Sequence, residues 1–219
     1  MNKYVIPDEI IENMSPFVKD MFLKWRSFMY ENVIFNMPDS EIHAQGHCER
    51  VLLFAVMLGE KIFGDSVSLV EPLAHAAIFH DSRRQDDYLD TGHGARAAVY
   101  YTDFCKKHPD IITFHESTVY LMRYHDLNDK LGIEAIKNHF KTDSDIVLKQ
   151  YAIFKDSDAL DRFRLGSLGL DPKYLRAPEA KDMISFAEKV VKATVPADLL
   201  AAIDAKVKAT LQQTDNNNN

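Results

Sequence analysis

The sequence predicts an all-α chain folded as a single helical bundle, and three observations carry that expectation. Apolar residues recur at spacings of three and four nearly everywhere. Strand-like alternation bounded by turn residues is hard to find. No linker rich in Gly, Ser or Pro divides the 219 residues, a length that suits one sizeable core.

Taken in order, the pattern predicts a helix from about Pro7 to Val33, broken near Pro16. A second runs from about Asp39 to Phe63 and stops before Gly64. A third covers about Ser66 to Phe79 and ends at a His-Asp pair. Ser82 to Gly92 reads as a charged loop. Helices follow at about His93 to Lys107, Ile112 to Tyr124 and Leu131 to Phe140. A longer one, Ser144 to Arg164, is stopped by Gly166 and Gly169. Pro178 to Ala193 and Pro196 to Gln212 close the chain. Residues 1–38 are expected to pack on the core as an N-terminal helical segment, with 39–213 as the main helical domain. The polar tail 214–219, TDNNNN, is expected to be disordered.

Composition excludes several classes. The formal net charge is −7, so broad sequence-independent binding to nucleic acid is not expected. No run approaches the ~20 apolar residues of a membrane span, and MNKYVIPDEI lacks the apolar stretch of a signal peptide. Two cysteines, Cys48 and Cys105, have neither zinc-ribbon nor CxxC spacing. A reducing cytoplasm fits them better than a disulfide.

Three segments place ionisable groups where packing calls for apolar ones. His43, His47, Val51, Phe54, Leu58 and Ile62 share one helical face. Leu69, Leu73, Ala76 and His80 share another. Val147, Tyr151, Phe154, Asp158, Asp161 and Leu165 form a third. A buried carboxylate needs a cation or a proton. A lone histidine on an apolar face reads as a hydrogen-bonded core residue, and His75, His108, His115 and His139 are read so. The convergence of His47, His80, Asp81 and Asp158 reads differently: two imidazoles and two carboxylates suit a divalent transition metal or magnesium.

The order of these motifs resembles the HD-domain superfamily of metal-dependent phosphohydrolases, in which a His, a His-Asp pair and a last Asp follow one another. HCERV is similar to its HxxRV form, and DSDALDR to its DADxLD form. The resemblance covers roughly His43 to Gly166. It implies an HD-type helical domain in which His47, His80, Asp81 and Asp158 ligate the metal, with Asp156 as the competing last ligand. Asp156 lies about 160° around the helix from Asp158, off the apolar stripe, so Asp158 is preferred. One or two divalent ions are expected, from Mn, Fe, Co, Ni or Mg. His93 and His125 stand in the order of the extra histidines that some HD proteins use for a second metal. His43 is a further candidate. HDSRRQDDYLDTGHGARAA also looks like an HD subgroup with an HDSRR and GHG element.

The activity implied is hydrolysis of a small phosphorylated metabolite or nucleotide. Arg83, Arg84 and Arg162 are the candidates to offset phosphate charge. For Arg83 and Arg84 the bland alternative is a pair of solvated loop charges, or pairing with Asp86 and Asp87. His93 or His125, if not a ligand, is placed to protonate a leaving group. Two rivals stand beside this reading: a di-iron oxygenase of the same fold, and a metal- or nucleotide-binding sensor without turnover.

Overall fold

The architecture comes from a computed structural model that describes residues 4–217, with side chains to residue 210. Helices α1 (Asp8–Glu12) and α2 (Pro16–Asn32) are separated at Pro16, as expected. Ser15 caps α2, its Oγ accepting from the Val18 amide, and Pro16 occupies the first turn, where no N–H is needed. Next come α3 (Gln45–Phe63), α4 (Val67–Phe79), α5 (His93–Lys107), α6 (Glu116–His125), α7 (Asp129–Phe140) and α8 (Ser144–Leu160). Then α9 (Pro178–Asp182), α10 (Ile184–Thr194) and α11 (Ala197–Asn217) complete the order. No strand occurs among the described residues. The side chains at the start of the tail 214–219 lie outside the described residues, as does its end.

The bundle is built around α3 and α4, which pack on each other and are flanked by α2, α6 and α8. α3 is buried around most of its circumference, from His47 to Gly59. Trp25 and Phe22 from α2, Phe54 from α3, Phe79 from α4 and Phe154 from α8 are essentially fully buried. Each contributes about 1.5–3 kcal/mol through apolar burial. Glu49 ties the N-terminal segment to this core. Its carboxylate accepts from the Val5 and Ile6 amides, both at 3.0 Å, and from the Tyr30 hydroxyl at 2.8 Å.

Five boundaries depart from the sequence expectation, α11 among them: its backbone stays helical to Asn217, past the expected end at Gln212 and into the tail expected to be disordered. α3 begins at Gln45, not Asp39, because Ser40 Oγ accepts from the Ile42 and His43 amides and holds a turn there. His43 therefore precedes the helix. The segment before α6 is extended at His115, so that helix starts four residues later than Ile112. α8 tightens into a 3₁₀ turn at Asp161–Leu165 and ends at Gly166, whose φ of 102° suits glycine. The segment beginning at Pro178 is two helices, divided at Met183. Cys48 and Cys105 are buried free thiols. No described helix is long and apolar enough to cross a membrane.

Candidate metal centre

The chain turns at the end of α4. His80 keeps helical backbone angles as the cap, and the turn is pinned by Ser82, whose amide and hydroxyl both donate to the Phe79 carbonyl. Two neighbours that would diverge by ~100° inside a helix thus face one point. His47 arrives from the first turn of α3, Asp158 from the last turn of α8, His93 from the start of α5 and His125 from the end of α6. Gly94 lets α5 and α6 come this close. A Cβ there would collide with the Met122 carbonyl and crowd the His125 ring. Gly92, at φ 92°, supplies the left-handed turn that starts α5.

The ligand-type atoms converge. His47 Nε2 lies 3.1 Å from His80 Nε2, 3.5 Å from Asp81 Oδ2 and 3.4 Å from Asp158 Oδ1. His93 Nε2 lies 2.9 Å from His125 Nε2 and 3.0 Å from Asp81 Oδ1. His125 Nε2 is 3.7 Å from the same Asp81 oxygen. Asp81 thus stands between two imidazole pairs. Phe154 closes the floor, edge-on to His80 and His125.

The other ring nitrogen of each histidine decides what this group can hold. His47 Nδ1 sits 2.7 Å from Asp161 Oδ2. His80 Nδ1 sits 2.9 Å from the Ala77 carbonyl, His125 Nδ1 2.7 Å from that of Met122, and His93 Nδ1 2.7 Å from that of Asp90. Carbonyls and an ionised carboxylate only accept, so each Nδ1 carries the proton. Each Nε2 then faces another Nε2 about 3 Å away, and those of His93 and His125 also face the Asp81 carboxylate, which accepts a proton from them. That arrangement calls for a cation between them, or for protons that a cation can replace. Anchored Nδ1–H groups are also the usual second support of metal-bound histidine. These buried His and Asp groups can hold a metal ion.

Electrostatics agree with the geometry. Burial pushes the Asp158 and Asp81 carboxyls up, but the surrounding histidines, with Arg164 beside Asp158, outweigh it and hold both below the usual range. Burial, aided by His47 and His125, pushes His80 down to about 3 against the pull of Asp81. His125 goes the other way: burial pushes it down, but its hydrogen bond to Asp81 and the charges of Asp81 and Asp158 hold it above its ordinary value, so a metal there displaces a proton. Acids kept ionised and a neutral His80 are the protonation states a metal needs.

Asp156 lies elsewhere. Its carboxylate accepts from the Arg176 and Ala177 amides and pairs with the Arg176 guanidinium at 2.9 Å. Arg83 does not reach the centre. Its guanidinium stacks on Tyr100 and donates to the Ile34 and Ser82 carbonyls. Here the cation fastens the start of the loop to the segment after α2, away from the phosphate role expected of it. Arg84 is buried and lines the cavity, donating to the Asp86 and Tyr88 carbonyls. Arg162 is exposed at the rim, held by the Gly169 carbonyl. His43 lines the cavity through a 3.0 Å contact with Asp87. Two expected core histidines, His108 and His139, are exposed, because their helices end at the surface.

Sequence reasoning missed the support. Arg50 grips Asp161 through Nε at 2.5 Å and Nη2 at 3.1 Å, and Asp161 in turn orients His47. The Arg of HCERV and the last Asp of DSDALD thus serve the ligand rather than join it. Arg164 was also missed. It is buried, donates through Nε to the Ile42 carbonyl at 2.7 Å, and lines the cavity. Its Nη1 has no hydrogen-bond partner and lies 3.5 Å from Asp161. Its position three residues after Asp161 was the available signal.

A cavity of about 360 Å³ opens from the centre, lined by Asp81, Arg84, His93, His125, Asp158 and Arg164 among others. A second, of about 400 Å³, adjoins it through His125, Asp158 and Arg162 and adds Lys155, Tyr174 and Arg176. Comparisons with family models, curated proteins and solved structures give no match. The class defined by fold and site is an all-helical bundle with a buried histidine-carboxylate centre at the foot of a polar cavity that Arg84, Arg162 and Arg164 also line.

Proposed function

We propose that this chain is an HD-type metal-dependent phosphohydrolase acting on a small phosphorylated metabolite or nucleotide. The observation that carries the reading is the joining of two Nε2 pairs through Asp81 beneath a cavity that also presents Arg84, Arg162 and Arg164. Arginines beside a metal-type donor set suit a phosphate, which needs planar, paired cationic donors.

His47, His80, Asp81 and Asp158 would hold one divalent ion, and His93, His125 and Asp81 are arranged to hold another. Such an ion supplies a Lewis acid and an acidified water. Arg164 and Arg84 bind the phosphoryl oxygens and offset their charge. Asp161, held by Arg50, keeps the His47 lone pair aimed inward. Asp126, whose Oδ1 is buried without a partner while Oδ2 takes the Gly92 amide, is placed to accept a proton or a sugar hydroxyl. Phe154 and the α5–α6 contact keep bulk water from the floor.

The test is metal analysis of the purified chain, then a screen of phosphorylated metabolites with Mn, Co, Ni, Fe and Mg. Release of inorganic phosphate or a nucleoside that depends on added metal and on His80 supports the reading. A metal-loaded protein that turns over nothing supports the sensor instead. A di-iron oxygenase is favoured only by the histidine-rich, Asp81-joined pair of sites. Iron-dependent oxygen uptake without phosphate release would establish it.

A further inference from the structure

A second histidine cluster lies along the middle of α4, nearer its start than His80, and shares no residue with the first. Glu71 and His75 stand one turn apart on α4, and His115 caps the start of α6. One ligand atom from each lies within 4.8 Å of the other two. His115 Nε2 and Glu71 Oε2 are 3.1 Å apart, close to the ~3.4 Å between neighbouring ligands of a tetrahedral ion with bonds of about 2.1 Å.

His75 makes the cluster more than a surface pair. Its side chain is fully buried, and Nε2 has no hydrogen-bond partner. The Tyr101 hydroxyl lies 3.3 Å from the Thr113 carbonyl, accepts from the His115 amide at 3.0 Å and sits 3.0 Å from His75 Nδ1. With that hydroxyl donating to Thr113, His75 Nδ1 donates to it in turn and Nε2 is a bare lone pair. Burial, with His115 and Lys24 nearby, keeps the imidazole neutral. A buried lone pair without a donor is costly. A neutral imidazole with an anchored Nδ1–H, beside a carboxylate and a second imidazole, is the donor set of a zinc-type ion.

We propose that Glu71, His75 and His115 form a second, separate site for a zinc-class divalent ion, which clamps α4 to the start of α6. Its fourth ligand is water, since Glu71 and His115 keep an edge toward solvent while His75 does not. The ion replaces the proton that bridges His115 and Glu71. Lys24, which takes Glu71 Oε1 at 3.0 Å, leaves Oε2 for the ion. The site is independent of the phosphohydrolase reading and adds to it a mechanical link. α4 leads from Glu71 to His80, and α6 from His115 to His125, so one clamp sets the spacing of both helices that carry ligands of the main centre.

The test uses the full chain, stripped with chelator and titrated with Zn²⁺ and then Co²⁺. His115→Ala and the near-isosteric Glu71→Gln should each lose about one equivalent and the four-coordinate Co²⁺ visible bands. Both should keep the equivalents that His80→Ala removes. Zn²⁺ should raise the Tm of His80→Ala but not that of the His80→Ala/His115→Ala double variant. Circular dichroism of the metal-free proteins separates a ligand effect from unfolding, and Glu71→Gln carries the test if His115→Ala does not fold. Equal metal content in wild type, His115→Ala and Glu71→Gln overturns the site. That result would leave His75 Nε2 to a buried water. Loss of metal only in His80→Ala likewise overturns it, and leaves the main centre standing.

Discussion

Two histidine clusters lie along the same helix pair, a lower one at the C-terminal ends of α4 and α6 and an upper one at the middle of α4 and the start of α6, and they differ in one instructive way. In the lower cluster, four histidines and two aspartates converge, and His93, His125, Asp81 and Asp158 of these line a cavity that arginines also line. In the upper cluster, two histidines and a glutamate surround a single buried lone pair, and no arginine takes part. Both have anchored Nδ1–H groups, so both can ligate. Only the lower one leaves room for a substrate and provides charge to bind it. A donor set alone points to metal binding, while donors beneath a cavity that also presents arginines point to chemistry on an anion.

The largest break in that comparison comes from removing lower-cluster ligands. His80→Ala and Asp158→Ala should each lose metal and bring phosphohydrolase activity to background, with inductively coupled plasma analysis and phosphate release as readouts. Asp156→Ala, two residues from Asp158, should keep both. Its effect falls on stability, about 2–4 kcal/mol by urea denaturation, because the half-buried Arg176 and the Arg176 and Ala177 amides lose a fully buried acceptor. If Asp156→Ala strips the metal and Asp158→Ala does not, the last ligand has been misassigned.

Asp161→Asn sharpens the role of support. An amide in place of the carboxylate can present N–H toward His47 and no longer balances Arg50. Metal affinity should fall about 10–100-fold, as for other lost supports of a metal-bound histidine. Tm should fall too. Unchanged affinity would mean that His47 needs no anchor.

The arginines come next. Arg164→Ala should raise KM about 10–100-fold for a phosphorylated substrate while metal content stays at the wild-type level, since charge-assisted bonds to phosphate contribute about 1.5–3 kcal/mol each. A KM that does not move, with Tm lowered, would make Arg164 a tether for the Ile42 turn alone.

How much of this was legible before any coordinates can be argued residue by residue. His47, His80 and Asp158 stood on apolar faces, where the helical period exposes a polar intruder. Asp81 was legible only by adjacency to His80. The stacking of Arg83 was not legible, because its neighbours in sequence are loop charges while its partner Tyr100 lies on α5. Arg164 escaped notice because the stripe assumes a regular α-helix, and α8 tightens to 3₁₀ at Asp161. The upper cluster escaped for a related reason. His75 reads as a core histidine, and its orphan nitrogen exists only through Tyr101, His115 and Thr113, which no spacing rule connects.

The pH dependence of stability tests the cavity wall. Burial, with Arg164 and His47 nearby, pushes His43 down to about 4. Its ordinary value of 6.5 holds when unfolded. Between those limits the unfolded chain binds a proton that the folded chain does not, so stability falls as pH drops from 6.5 toward 4. Below about 4 both states are charged and this contribution stops changing. His43→Asn should flatten that decline by on the order of 1–3 kcal/mol, read from urea midpoints across pH. Parallel wild-type and variant curves would remove His43 as the cause.

The smallest expected effect belongs to Arg83. Its guanidinium lies 3.3 Å from the Tyr100 ring centroid and bonds two carbonyls, so it fixes the loop start to the segment after α2. A partly exposed cation over an aromatic ring contributes about 0.5–1 kcal/mol, and bonds from a charged donor add to that. Arg83→Ala should therefore lower stability by about 1–2 kcal/mol and leave KM, kcat and metal content at wild-type values. Tyr100→Leu should lower stability similarly, and the double variant should lose less than the sum, because both changes remove one contact. Full additivity would deny the stacking. A raised KM in Arg83→Ala with unchanged Tm would return the residue to the phosphate and reverse the contrast with Arg84 and Arg164.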